Sequence, residues 1–166
     1  MIKWLGVIFR KRIVTAAPPA VGRHFSVPAF PAREQGDSVP AIDDCLRRAM
    51  TIRGAIGASL IDYTTGQSLG LQGGKEPVAP HSDPAAAALG TASVIHAAMQ
   101  TAAYAPAVPG DSVEDVIIST SAAYHLIRPV RTGFDSRLVL YVWLDRTEGN
   151  LAIARRRIRS LAEDLT

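Results

Sequence analysis

The sequence predicts an α/β sandwich, a sheet covered by helices on both faces. The run from Arg137 to Asp145 is apolar between its charged ends, rich in β-branched, aromatic and leucine residues, and without strict alternation. That is the pattern of a strand buried on both faces. Stretches with helical periodicity stand before, between and after the strand-like segments. Segments 112–120, 122–130 and 137–145 follow one another on short links, which makes an antiparallel meander. A strand covered twice sits in the middle of a sheet and needs packing above and below.

The totals suit one domain. The chain has 166 residues, 48% hydrophobic and 20% charged, enough for a real core. Aromatics make up only 6%, so packing must rely on small residues at close approach. Residues 1–40 hold six Lys/Arg against two acids, while 41–166 hold twelve against thirteen. The basic character belongs to the N-terminal arm, which argues against a nucleic-acid-binding domain with its own basic face. Cys45 is the only cysteine. It excludes an internal disulfide and a thiolate metal cluster, and it is compatible with a reducing cytoplasm. No apolar run approaches the length of a membrane span.

Residues 1–39 are expected to form a disordered, basic, proline-rich arm, with Pro18, Pro19, Pro28 and Pro31 giving it linker composition. Within it, 1–12 joins Trp4 and Phe9 to Arg10, Lys11 and Arg12. Peripheral membrane contact is one reading of that segment, but a single short basic-apolar stretch anchors poorly. A tail with no part in the fold is favoured.

The domain is expected over 40–166. Pro40 suits a first helical turn, Asp43 and Asp44 lie near the positive helix end, and Ile42, Leu46, Ala49 and Met50 share an apolar face, giving a helix over 40–52. Residues 55–62, the turn Tyr63–Gly66 and residues 67–71 form a β-hairpin. Gly57, Ala58 and Ser59 would let a helix approach it closely. Asp62 serves the turn rather than catalysis. Gly73-Gly74-Lys75 fails as a phosphate loop, since Leu69 stands where glycine is needed and Glu76 where Ser or Thr is needed. Residues 72–84 are a loop, and His81 within it has no second ligand at metal-site spacing.

The longest helical pattern runs from Asp83 to about Tyr104. Asp83 or Ser82 caps it and Pro84 fits its first turn. Val94, Ile95, Ala98, Met99 and Ala102 share one broad apolar face, while Ser93, His96 and Gln100 form a narrow polar stripe with Leu89 among them. A helix so nearly apolar all round should be buried on more than one side. One side lies on the sheet; the other lies under more of this chain or meets a partner. Ala86, Gly90 and Ala97 suit close helix–helix contact, and His96 has no carboxylate near it in sequence to make it a base.

Segment 112–120, with Val113, Val116, Ile117 and Ile118, is a strand. Residues Ser119–Ser121 turn into 122–130, where Tyr124, Leu126, Arg128 and Val130 share one face and pairing should end at Pro129. A last helix from about Asp145 to Leu165 carries a capping-box pattern at Asp145 and Glu148. Leu151, Ala154, Ile158, Leu161 and Leu165 face the sheet. Arg155, Arg156, Arg157 and Arg159 form a basic cluster that meets an acidic protein surface or a phosphate, or is simply a solvated face.

This element order resembles the Roadblock family. So do the Gly54-Ala55-Ile56-Gly57-Ala58-Ser59-Leu60-Ile61-Asp62 strand with its turn to Gly66, and the block from Asp115–Thr120 through Arg137–Asp145. The family includes dynein light chains, Ragulator subunits and bacterial partners of small Ras-like GTPases. The resemblance implies a five-stranded antiparallel sheet in the order 2-1-5-4-3, with one long helix on one face and two on the other. It also implies a homodimer through the second helix and third strand, here Ala86, Leu89, Gly90, Ser93, His96, Ala97, Gln100, Val116 and Ile118. The implied function is that of a non-enzymatic regulator or scaffold for a small GTPase, expected in the cytoplasm; Arg155, Arg156 and Arg159, from the charge pattern alone, are the candidates to face a partner. No catalytic residue, cofactor or metal is implied. A profilin-like ligand-sensing domain shares much of the topology and is the alternative.

Overall fold

The computed structural model describes residues 40–73, 83–131 and 137–165. The arm 1–39, with its segment 1–12, and His81 lie outside them. Helix α1 (Pro40–Ala49) is followed by strands β1 (Ala55–Asp62) and β2 (Gln67–Gly73), helix α2 (Pro84–Gln100) and a 3-10 turn (Ala102–Tyr104). Strands β3 (Val116–Ser119), β4 (Ala123–Val130) and β5 (Leu138–Asp145) come next, and helix α3 (Leu151–Glu163) closes the order. The five strands form one sheet in the order β2-β1-β5-β4-β3, antiparallel throughout. This is the α/β sandwich that the sequence and its family resemblance led us to expect.

β5 is the centre. Val139 to Leu144 are all buried. Successive side chains of a strand point to opposite faces, so the run feeds two cores. Leu140, Val142 and Leu144 pack with Leu46 and Ala49 of α1 and with Ala154, Ile158 and Leu161 of α3. Val139, Tyr141 and Trp143 pack with Ala88, Ala92 and Ile95 of α2. β1 flanks β5 on one side, pairing Leu60 with Leu140, and β4 flanks it on the other, pairing Leu126 with Val142.

Two turns show why small and acidic residues stand where they do. The Asp62 carboxylate accepts hydrogen bonds from the Thr64 amide at 2.8 Å, the Thr64 hydroxyl at 2.7 Å and the Thr65 amide at 3.3 Å. Burial pushes its pKa up, but these bonds and the Arg137 charge outweigh that and hold it below the ordinary value. Asp62 is thus a turn former. Gly66, at φ +74°, ends the turn; a Cβ there would lie 2.8 Å from Leu89 Cδ1, so α2 rides directly over the hairpin.

Several boundaries differ from the sequence-based expectation. β3 is four residues long rather than spanning 112–120, and residues 111–115 belong to no ladder. Pairing of β4 with β5 continues past Pro129 to Val130, while the β3 ladder stops at Ile127. α3 begins at Leu151, capped by Asn150, whose side chain accepts from the Ile153 amide at 3.1 Å. Asp145 instead closes a separate turn, accepting from the Thr147 amide at 2.7 Å and the Glu148 amide at 3.0 Å. That turn brings Gly149 against the Leu144 side chain and the Asp145 carbonyl, where a Cβ would collide, so glycine is required there.

Leu140 is fully buried between α1, α3 and the neighbouring strands. Leu140→Ala is expected to destabilise the domain by about 2–5 kcal/mol, seen as a lower urea midpoint with an unchanged m-value.

Candidate functional site

α2 is capped as expected. The Asp83 side chain accepts from the amides of Ala85 at 3.0 Å and Ala86 at 3.1 Å, and Pro84 occupies the first turn. Its inward stripe differs from the projected one. Ala88, Thr91, Ala92 and Ile95 are buried, whereas Met99 is exposed and Ala102 lies beyond the helix end. Thr91 enters the core because its hydroxyl is satisfied by the Ala87 carbonyl at 2.9 Å. Small residues at 88, 91 and 92 let the helix settle close to the sheet.

The opposite side of α2 is open. Ala86, Leu89, Gly90, Ser93, His96, Ala97 and Gln100 are all exposed, so among the described residues nothing buries the second side of the helix. Leu89 leaves 54% of its surface open. A Cβ on Gly90 would meet nothing within 4 Å. The Ser93 hydroxyl is turned onto the Leu89 carbonyl at 2.9 Å, which lowers the polarity of the surface it presents. The result is a strip in which small side chains at Ala86, Gly90, Ser93 and Ala97 alternate with Leu89, His96 and Gln100.

β3 is the sheet edge, with β4 on one side and no described strand on the other. Val116 is half-buried against the α2-side core, and Ile118, two residues on and therefore on the same face, is 38% exposed. An open edge carrying an exposed isoleucine is a template for pairing with another chain.

The α3 arginines lie on the other face of the sheet from α2, so they do not join that strip. Arg155, Arg156 and Arg159 are exposed. Arg155 Nε donates to Asp115 at 2.7 Å, and Arg159 Nη2 donates to Glu114 at 2.9 Å. Two of the three residues expected to face a partner are therefore also tied to the segment leading into β3.

No protein-family model and no curated protein sequence matches the chain. Solved structures do match its fold. The gliding protein MglB from Thermus thermophilus aligns at a TM-score of 0.61 with 18% identity, covering 78% of this chain and 89% of that one. MglB of Myxococcus xanthus aligns at 0.55 with 21% identity, covering 76% and 89%. A Roadblock/LC7 domain from Streptomyces avermitilis aligns at 0.51 with 15% identity, covering 74% and 89%. The chain has a Roadblock-type fold.

Within this Roadblock-type domain, one group of chemistry-bearing residues meets on β4 and β5. His125 Nδ1 lies 2.8 Å from the Tyr141 hydroxyl, and its ring stacks 6.1 Å from Tyr141 and 6.3 Å from Trp143. Desolvation raises the Tyr141 pKa, which keeps the phenol neutral. Sequence reasoning missed this trio, because only the β4–β5 register places His125 opposite Trp143. No group of three or more His, Cys, Asp or Glu among the described residues is arranged to hold a metal ion. The cavity between α2 and the sheet, lined by Gly57, Ser59, Thr91 and Tyr141, has a volume of about 40 Å³. Small-molecule sites run to about 300–1,000 Å³, so this cavity suits water rather than a ligand; a more open cleft of about 320 Å³ lies between Ile52, Arg53 and the turn Thr147–Asn150.

Cys45 is buried in the α1/α3 core, and desolvation pushes its thiol up to about 11. At pH 8 it is expected to resist alkylation in the folded protein and react fully in denaturant, followed by mass spectrometry. A raised folded pKa leaves stability intact below pH 9.0, the ordinary value, and removes it as pH climbs toward 11. An alkaline loss of stability over that window, reduced in Cys45→Ala, checks the sign.

Proposed function

We propose that this domain is a non-enzymatic homodimeric regulator or scaffold for a small Ras-like GTPase or an associated signalling complex, working in the cytoplasm. The observation that carries it is the strip on α2 around Gly90, which no described residue covers, beside a sheet edge with no described strand beyond it. A nearly apolar helix with one side outside its own core is a surface to be covered, and a second copy offers the same small residues for close approach. The interface is assigned to Ala86, Leu89, Gly90, Ser93, His96, Ala97 and Gln100 of α2 with Val116 and Ile118 of β3.

The GTPase assignment is supported by the fold and by the resemblance to a family that includes partners of small GTPases. Arg155, Arg156 and Arg159 then face the partner, from the side opposite the dimer strip. Any acceleration of GTP hydrolysis would come from positioning groups of the GTPase.

Gly90 separates association from folding. In Gly90→Leu the new side chain has open space within its own chain and gains about 1 kcal/mol of helix propensity. At concentrations low enough for both to be monomeric the variant should melt no lower than wild type, while its dimer dissociates at least about tenfold more readily by overpacking. Mass in solution at micromolar concentration reads this out, and a wild-type monomer there would remove the homodimer. Capture with the full chain from native cell extract is expected to recover a small GTPase.

A further inference from the structure

β3 is the most thinly anchored strand of the sheet. It is four residues long, pairs among the described strands only with β4, and none of its residues is fully buried. Its C-terminal end is held by local bonds. Thr120 Oγ1 accepts from the Ala123 amide at 2.9 Å, and Arg146 Nη1 donates to the Thr120 carbonyl at 2.7 Å.

Its N-terminal end is held by charge. Asp115 Oδ2 accepts from Arg128 Nη1 of β4 at 3.2 Å and from Arg155 Nε of α3 at 2.7 Å. The Asp115 and Arg128 side chains are only 11% and 13% exposed, so this pair is shielded from solvent. Glu114, more exposed, meets Arg159 Nη2 at 2.9 Å and Arg155 Nη2 at 3.6 Å. Adjacent acids thus grip two arginines one helical turn apart, forty and forty-five residues further along the chain.

We infer that Glu114 and Asp115 form an electrostatic latch with Arg155 and Arg159 that holds the N-terminal end of β3 to α3, so that the state of the α3 arginines sets the order of the sheet edge. The latch links two surfaces on different sides of the domain. A docking acidic surface and the latch compete for the same two guanidinium groups, and opening the latch loosens the strand that presents Ile118. The consequence for self-association rests on the proposed function; the latch itself does not.

Amide hydrogen exchange on the full chain tests it. In the double variant Arg155→Gln/Arg159→Gln, both changes lie on the exposed side of α3 and leave its core residues intact. The protected amides of Val116–Ser119 should exchange about three- to tenfold faster, the size expected from losing two partly exposed ion pairs, while those of β1 and β5 are unchanged. Raising salt from about 0.1 M to about 1 M should speed the same amides in wild type, by screening, and add little in the variant. Arg156→Gln/Arg157→Gln should leave them as in wild type. Unchanged exchange in the first variant, or equal acceleration in the second, overturns the latch. Faster exchange at 116–119 with an unaltered solution mass upholds the latch and removes β3 from the dimer reading.

Discussion

The fold depends on one constraint, the burial of β5 on both of its faces. Six consecutive buried residues from Val139 to Leu144 cannot be covered by a single layer. The pleat sends Leu140, Val142 and Leu144 one way and Val139, Tyr141 and Trp143 the other. α1 and α3 together cover the first set, because two helices are needed to span β1, β2, β4 and β5. α2 covers the second set, pressed close by a stripe of alanine and threonine.

That division leaves the molecule uneven at its margins. On the α1/α3 face large aliphatic side chains interdigitate, and the helices turn charged surfaces outward. On the α2 face the covering helix is built from small residues, and its outer side is scarcely more polar than its inner one. The sheet ends at β3, whose four residues gain little from burial. Local turn bonds and the Glu114/Asp115 ion pairs hold the strand at its two ends. The regions least fixed by hydrophobic packing are thus the regions assigned to association.

Legibility along the chain followed the strength of the patterning. The β1–β2 hairpin was readable because Asp62 and Gly66 bracket the turn with the residues its geometry needs. α1 and α3 were readable because charge and apolar periodicity agree. α2 was readable as a helix but not in its orientation: with alanine on nearly every side, periodicity alone cannot choose which stripe meets the sheet. Met99 and Ala102 drew the projected face too far round, while Val94 does pack against the core; the contact of Leu89 with Gly66 is part of what fixes the actual rotation. The candidate strip Ala86–Gln100 was legible as small residues. The ties of Arg155 and Arg159 to Glu114 and Asp115 were not, since they join side chains at least forty residues apart.

By itself the sequence determined the existence of three helices and the strands between them, the doubly buried centre, and the lack of any familiar catalytic or phosphate-binding spacing. These are local properties, set by periodicity, turn chemistry and residue type within a few positions of each other. Only the tertiary structure decided which side of α2 is left open, that the α3 arginines are held by acids ahead of β3, and that His125 meets Tyr141. Each of these depends on register and layer contacts between segments distant in the chain, where the outcome is set by which surfaces pack and not by what either segment prefers alone.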